Sequence, residues 1–202
     1  MTWRVLAAVA AAACVAAPLA RADGDPASDY LITQKTFLPF DAKIPKAQAD
    51  RLTGIVEDAN KKGFKVRVAL ISRPFDLGAV PSLWRKPTTY ARFLGQELAF
   101  VYRNRLLVVM PNGYGVSRVG KVLPHEQRIL DTLPAPGPGG PALAAAATRA
   151  VRRLAAANGV TAEAPQTSKS TTNDRLVIAG GAIGLVLLIL AGLGLRRLLA
   201  RR

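Results

Sequence analysis

Side chains able to do acid, base or nucleophilic chemistry are few in this sequence. His125 is the only histidine and stands beside Glu126, at the expected start of a helix. Because no partner residue follows in a catalytic spacing, an exposed helix start explains it better than a general base. Asp41 and Asp76 are isolated acids in turn-like sequence, where carboxylates usually accept hydrogen bonds from backbone amides. The sequence has no recognisable Ser/His/Asp arrangement, phosphate loop or metal-ligand spacing, so we expect no catalytic residue, metal or cofactor.

A second group of candidate residues surrounds the apolar stretch at residues 106–110. Pro111 lacks a backbone donor and Asn112-Gly113 favours positive φ, so the chain is expected to turn there. Gly115 leaves room beside Tyr114, whose ring either packs over the sheet end or projects into a ligand or partner site. The arginines nearby either form a solvated rim or meet an anionic ligand or headgroup. The candidate binding residues are Arg103, Arg105, Asn112, Gly113, Tyr114, Gly115 and Arg118.

The beginning of the chain has a pattern typical of export. Residues 1–22 combine Arg4, an uncharged Ala/Val-rich run and the small-x-small triplet Ala20-Arg21-Ala22, which predicts a signal peptide cleaved after Ala22. The alternatives are a first transmembrane helix and a lipoprotein modified at Cys14. Cleavage would remove Cys14, the only cysteine, and would exclude disulfides and thiolate chemistry from the mature chain.

The other end of the chain predicts a membrane anchor. Residues 176–195 carry no charge and are long enough to span a hydrocarbon core as a helix. Four arginines follow in a basic tail at 196–202, so the C-terminus is expected in the cytoplasm and the preceding domain outside. Gly180 and Gly184 form a Gly-x-x-x-Gly pattern, which permits a homodimer through close helix packing.

The charge of the exported part is moderate. Residues 23–174 hold 21 of the basic residues and all 13 acids, a formal net charge of +8 against +15 for the whole chain. Such a domain can lie against an anionic lipid or polymer surface. Nucleic acid is not an expected partner, because the domain is predicted to be outside and its basic residues are not interleaved with aromatics.

Between the terminal signals, the hydrophobic pattern alternates between strand and helix. It predicts strands at residues 35–40, 64–72 and 106–110, and helices at 46–60, 88–102, 124–133 and 141–157. This order predicts an α/β fold with right-handed crossovers, in which helices flank a central mixed or parallel sheet. We expect a single domain at 35–158, with a loose entry segment at 23–34 and a flexible linker at 159–175.

The order of elements resembles the TPM domain family, small exported α/β domains that often carry these two membrane signals. The resemblance covers residues 35–157. Its local features are the strand at 64–72, the helix with Tyr90-Ala-Arg-Phe-Leu94, the strand leading to Gly113-Tyr114-Gly115, and Arg128-Ile-Leu-Asp-Thr-Leu-Pro134 before a glycine-containing loop. Some members are credited with acid phosphatase activity and others bind calcium. The family's acidic segment before the central strand here reads Tyr102-Arg103-Asn104-Arg105, so arginines replace the carboxylates that a cation needs.

Together these patterns predict a non-catalytic, single-pass membrane protein of a bacterial envelope. Its extracytoplasmic domain is expected to bind a partner protein or an anionic envelope surface. One alternative is a metal-assisted acid phosphatase of the TPM kind, and another is a structural accessory subunit of an envelope complex.

Overall fold

The computed structural model describes residues 24–164, which form an α/β fold around a five-stranded mixed sheet. The predicted fold class is therefore confirmed. Among these residues, no helix is both long enough and apolar enough to cross a bilayer. The predicted signal peptide, the transmembrane segment with Gly180 and Gly184, and the basic tail lie outside the described residues.

The predicted helices and strands occur in the predicted order, with three additions: one helix before the first strand and two strands after the third. The helices are α1 (Pro26–Thr33), α2 (Lys46–Lys61), α3 (Pro87–Glu97), α4 (Pro124–Asp131) and α5 (Gly140–Ala157). The strands are β1 (Thr36–Phe37), β2 (Val66–Leu70), β3 (Arg105–Met110), β4 (Gly113–Arg118) and β5 (Lys121–Val122). Short 3₁₀ turns occupy Phe40–Ala42, Pro74–Leu77, Pro81–Leu83 and Leu98–Phe100.

The strands lie in the sheet in the order in which they occur along the chain. β1, β2 and β3 are parallel, with Thr36 opposite Val68 and Val68 opposite Leu107. β4 and β5 then continue as antiparallel neighbours. The carboxyl ends of the three parallel strands therefore share one edge, and β1 is a terminal strand of the sheet.

Both faces of the sheet are covered by helices. Leu107 and Val109 of β3 belong to a core with α2 and α5, whereas the alternate residues Leu106 and Val108 belong to a core with α1 and α3. This alternation confirms that 106–110 is a central strand apolar on both faces.

The two parallel crossovers have opposite hands. β1, β2 and β3 advance in one direction across the sheet, yet α2 and α3 pack on opposite faces. The prediction that both crossovers are right-handed is therefore wrong for one of them. The long connection after β2, with two 3₁₀ turns before Pro87, carries the chain to the second face.

The prediction that the entry segment is loose is wrong, because this segment contains helix α1. Asp25 caps this helix by accepting a hydrogen bond from the amide of Ala27, and Pro26 occupies its first turn. Ala27 and Leu31 are fully buried in the core with α3. The polar composition of the segment does not indicate a helix, because two buried apolar side chains are enough to hold α1 against the core.

The first residues of the predicted linker are packed against the domain. Ala162 is buried, and the amide of Glu163 donates to a carboxylate oxygen of Asp58 at 2.8 Å. Lys62 pairs with the same Asp58 at 2.8 Å, four residues along the chain. Residues 160–164 are thus part of the packed unit.

The hairpin between β3 and β4 turns one residue earlier than predicted. Met110 pairs with Gly113, so the two loop residues are Pro111 and Asn112, not Asn112 and Gly113. Asn112 is not at positive φ. Proline second and glycine fourth are typical of a type I turn, and this preference overrides the Asn-Gly pattern.

Candidate functional site

The predicted binding residues fall into two groups at opposite ends of one hairpin. Arg105 lies opposite Arg118 at one end, and Met110 lies opposite Gly113 at the other. Five strand steps separate them, which is about 17 Å. The arginines and the Asn112-Gly113-Tyr114 segment therefore cannot meet one small ligand together.

Arg105 is held inside the molecule. Its Nε donates to Glu126 Oε1 at 2.6 Å, its Nη2 donates to Asn158 Oδ1 at 2.9 Å, and its guanidinium lies 4.7 Å from the ring centroid of Phe64. The side chains of Arg105 and Glu126 are only 17% and 8% exposed. Arg105 thus joins β3 to α4 and to the end of α5.

The other two arginines are exposed. Arg103 donates from Nε to the carbonyl of Ala99 at 3.2 Å, and Arg118 extends from the end of β4. Nearby, burial raises the pKa of the Tyr102 hydroxyl, which donates to the carbonyl of Arg105 at 3.1 Å. This end of the hairpin is a basic surface over a packed tyrosine.

Tyr114 has its ring in the core. It is 5% exposed, and its hydroxyl donates to the carbonyl of Pro134 at 3.0 Å. Burial raises the pKa of Tyr114, while Arg149 acts in the opposite direction. Gln127 of α4 pairs with the backbone on both sides of Gly115, accepting from Val116 and donating to the Tyr114 carbonyl. These contacts favour the alternative in which the Tyr114 ring is packed, over the one in which it projects into a ligand or partner site.

Gly115 is required by a different neighbour from the one expected. A Cβ there would lie 2.1 Å from the Pro87 carbonyl oxygen and 2.6 Å from the Thr88 nitrogen. The glycine therefore admits the start of α3 to the sheet and does not make room beside Tyr114. Asn112 is exposed and donates to the carbonyl of Arg85 at 2.7 Å, which ties the turn to the same segment.

The two isolated acids differ in their surroundings. Asp76 is buried, and its Oδ2 accepts from the amide and hydroxyl of Ser72 at 2.7 Å and from the Arg73 amide at 2.9 Å. Its predicted amide-capping role is confirmed. Asp41 is exposed and pairs with Arg73 at 2.7 Å.

Two exposed phenylalanines were missed in the sequence. Phe40 is 100% exposed and Phe75 is 81% exposed, on the turns that follow β1 and β2. The ion pair between Asp41 and Arg73 joins these turns at the carboxyl edge of the sheet. The signal that could have found them is a repeated tripeptide, Pro39-Phe-Asp41 and Pro74-Phe-Asp76. We call residues 39–42 and 74–77 the Pro-Phe-Asp loops.

Exposed basic side chains lie on the segments that contain or follow the Pro-Phe-Asp loops, up to the start of α2 and before α3. They are Lys43, Lys46, Arg73, Arg85 and Lys86. Among the exposed acids nearby, Asp41 and Asp50 are each paired with one of these cations, whereas Asp29 of α1 has no salt bridge among the described residues. The carboxyl edge of the sheet thus combines protruding aromatic rings with positive charge.

A buried acid and tyrosine pair was also missed. The Tyr90 hydroxyl lies 2.7 and 2.8 Å from the two carboxylate oxygens of Asp25. Burial raises the pKa of Asp25 to about 6, and the hydrogen bond from Tyr90 only partly opposes this. Burial and the nearby Asp25 charge raise the pKa of Tyr90, which stays a neutral donor. The pair joins α1 to α3.

A cleft of about 240 Å³ runs between the open side of β1 and helix α2. One wall comes from the end of α1 and from the β1 segment, and the other comes from Thr53 and Glu57 of α2. Thr36 lines the cleft, is 8% exposed, and has a hydroxyl with no hydrogen-bond partner among the described residues.

Within residues 24–164, no three His, Cys, Asp or Glu side chains converge as metal ligands. Compared with known proteins, the chain matches no family model, and no curated protein or solved structure shows significant similarity to it. The resemblance to TPM domains therefore stays a prediction.

Proposed function

We propose that this protein is a membrane-tethered, extracytoplasmic interaction domain that binds a partner protein at the carboxyl edge of its sheet. The observation that carries the proposal is the pair of exposed phenylalanines on the two Pro-Phe-Asp loops. The anchor and the exported topology come from the terminal sequence patterns.

Two neighbouring exposed phenylalanines are costly for a domain that stays alone in water. Each ring would gain about 1.5–3 kcal/mol from complete burial. Scattered single apolar residues are ordinary on a surface, but here the same tripeptide presents a ring from adjacent loops that touch through an ion pair. Aromatic anchors of this kind carry much of the binding free energy at protein interfaces.

The surrounding charge favours a particular kind of partner. The basic side chains around the loops would attract an acidic protein surface and accelerate its association. An anionic envelope surface has the same charge but presents no pockets for two rings. We therefore favour an acidic protein surface with apolar pockets, and a lipid or polymer surface becomes an outcome of the test.

Site-specific photocrosslinking in intact membranes tests the proposal. A benzophenone amino acid replaces Phe40 or Phe75, one at a time, in the full chain. We expect the same discrete protein adduct from both positions, identified by mass spectrometry. Phe100 supplies the matched control, because it is 94% exposed but precedes β3, at the opposite edge of the sheet. A probe there should not give that adduct.

The proposal also predicts the effect of truncation. Phe40→Ala and Phe75→Ala should each weaken co-purification of the crosslinked partner about thirtyfold, the effect of losing about 2 kcal/mol at an interface anchor. Phe100→Ala should leave it unchanged. Adducts with lipid alone, or equal adducts from all three positions, would contradict the proposal. Chelator-sensitive turnover of p-nitrophenyl phosphate by the purified chain would instead favour the phosphatase alternative.

A further inference from the structure

We infer that the open side of β1 and the cleft beside it bind an extended polypeptide segment, which adds to the sheet as a further strand. The inference rests on the proposed interaction function and deepens it, because it states how part of the partner binds. It uses different atoms from the phenylalanine rings, so the two can fail separately.

The backbone of β1 is paired on one side only. The Lys35 carbonyl accepts from the Val68 amide at 2.9 Å, and Thr36 lies opposite Val68 in the parallel register. Because successive residues of a strand direct their polar groups to alternate sides, the N–H and C=O of Thr36 and the N–H of Leu38 face away from β2. Among residues 24–164, no strand covers that side.

The extended conformation continues beyond the two residues of the ladder. Pro39 has an extended ψ of 129°, whereas the chain bends at Lys35 and the Gln34 amide donates to the Tyr30 carbonyl at 3.0 Å. The free edge therefore runs from Thr36 to Pro39, about 10 Å, enough to pair with about three residues of another strand. Pro39 has no N–H and ends the edge, which limits pairing to this short segment and protects it against open-ended aggregation.

The cleft supplies a place for the side chains of the added strand. It lies between an edge strand and a helix, the arrangement by which several domains bind peptides through backbone pairing and side-chain pockets. The buried hydroxyl of Thr36 has no partner among the described residues. Buried hydroxyls are normally hydrogen-bonded, so this one points to a group that is added on binding.

The chemistry of the edge selects a polypeptide. Donors and acceptors that alternate at strand spacing match another backbone, and a flat lipid surface cannot enter the cleft to reach them. The cleft volume of about 240 Å³ is below the range of about 300–1,000 Å³ typical of small-molecule sites. It suits one or two peptide side chains. Lys35 and Glu57 contribute one charge of each sign, so a segment of low net charge fits best.

The test uses a phage-displayed library of random twelve-residue linear peptides, selected on the purified full chain. Binding of the enriched peptides is measured by fluorescence anisotropy, and hydrogen exchange locates the contact. We expect peptides whose binding slows exchange at the amides of Thr36 and Leu38. Alternate backbone nitrogens of such a peptide are then methylated, either the odd-numbered or the even-numbered set. Only the set whose N–H groups face β1 should abolish binding when it is methylated.

Two variants check the role of the cleft. Thr36→Val keeps the side-chain shape, should fold normally, and should weaken peptide binding about two- to tenfold, the effect of losing one hydrogen bond. Glu57→Lys on the opposite wall should change which peptides are selected, favouring acidic ones. Phe100→Ala lies outside the cleft and should leave peptide affinity unchanged.

Three results would overturn the inference. The first is that no enriched peptide protects Thr36 and Leu38. The second is protection confined to the Pro-Phe-Asp loops, which would leave the proposed function intact. In the third, both amides are already protected without peptide and lose that protection when residues 166–175 are replaced by a Gly/Ser segment of equal length. That result would assign the edge to this chain's own C-terminal segment.

Discussion

The buried pair of Asp25 and Tyr90 gives a quantitative prediction about stability and pH. The pKa of Asp25 rises from 3.8 to about 6 on folding, chiefly because the carboxyl group is buried. The folded protein therefore holds this proton more tightly than the unfolded chain. The stabilisation is fully present below pH 3.8 and is lost as the pH rises through about 6.

The size of the effect follows from the shift. About two pKa units correspond to about 3 kcal/mol of unfolding free energy, at 1.36 kcal/mol per unit. Asp25→Asn removes the titration but keeps a side-chain oxygen for the Ala27 amide, and asparagine caps helices as well as aspartate does. Between pH 3.5 and pH 7.5, the unfolding free energy of the variant should therefore rise by about 3 kcal/mol relative to that of the wild type.

Urea unfolding at half-unit pH steps, followed by circular dichroism, measures this difference. Other carboxylates are identical in both proteins, including Asp58, whose pKa is lowered by its hydrogen bonds to the Glu163 amide and Lys62. Their contributions therefore cancel. Tyr90→Phe removes the hydrogen-bond donor that partly opposes the rise in the Asp25 pKa. The loss of stability with rising pH should therefore have its midpoint at a higher pH in this variant. Wild-type and Asp25→Asn curves that stay parallel from pH 3.5 to 7.5 would refute the reasoning.

Two further predictions concern the backbone near the hairpin. Gly115→Ala should destabilise the protein by about 3 kcal/mol, because its new Cβ meets the backbone of Pro87 and Thr88 and neither atom can rotate away. A loss below about 0.5 kcal/mol in urea unfolding would show that α3 does not approach the sheet this closely. Val119→Asn should stabilise by about 1 kcal/mol, because Val119 is exposed at a φ of 49° that asparagine tolerates better than a β-branched residue. Unchanged or lower stability, measured in the same way, would count against strain at this turn.

Periodicity was sufficient to predict the main elements of the described fold. Helix α2 was expected at 46–60 and is Lys46–Lys61, because its apolar residues repeat at helical spacing over four turns. The strand at 106–110 was identified because residues that are apolar on both faces belong at the centre of a covered sheet. These patterns report burial directly, and burial decides where long elements form.

Short elements depended on contacts that periodicity does not contain. Helix α1 is stabilised by the Asp25 cap and by burial of Ala27 and Leu31 against elements far along the chain. The hairpin turn was placed one residue late because Asn-Gly is the stronger local pattern in isolation. Strand pairing of Met110 with Gly113 fixed the register instead.

At the candidate site, too, the sequence does not show which long-range contacts a side chain makes. Sequence can identify an arginine or a tyrosine beside a turn, but not whether its polar groups are already satisfied. Arg105 is engaged by Glu126 and Asn158, and the Tyr114 hydroxyl by the Pro134 carbonyl. A group that already has its partners gains little from a ligand, since binding would have to break those contacts first.

Availability therefore points to the side of the sheet formed by β1 and β2, and not to the predicted hairpin of β3 and β4. Phe40, Phe75 and the open side of β1 have surface or hydrogen-bonding groups without partners among the described residues. All three belong to β1, β2 or the turns that follow them, so a single partner could cover the rings while one of its segments pairs with the edge. The covered surface would then be continuous from the cleft to Phe40, because Leu38 and Pro39 join them along the chain. An adduct from Phe40 that maps to an extended partner segment would link the two proposals, whereas a segment found only beside Phe75 would separate them.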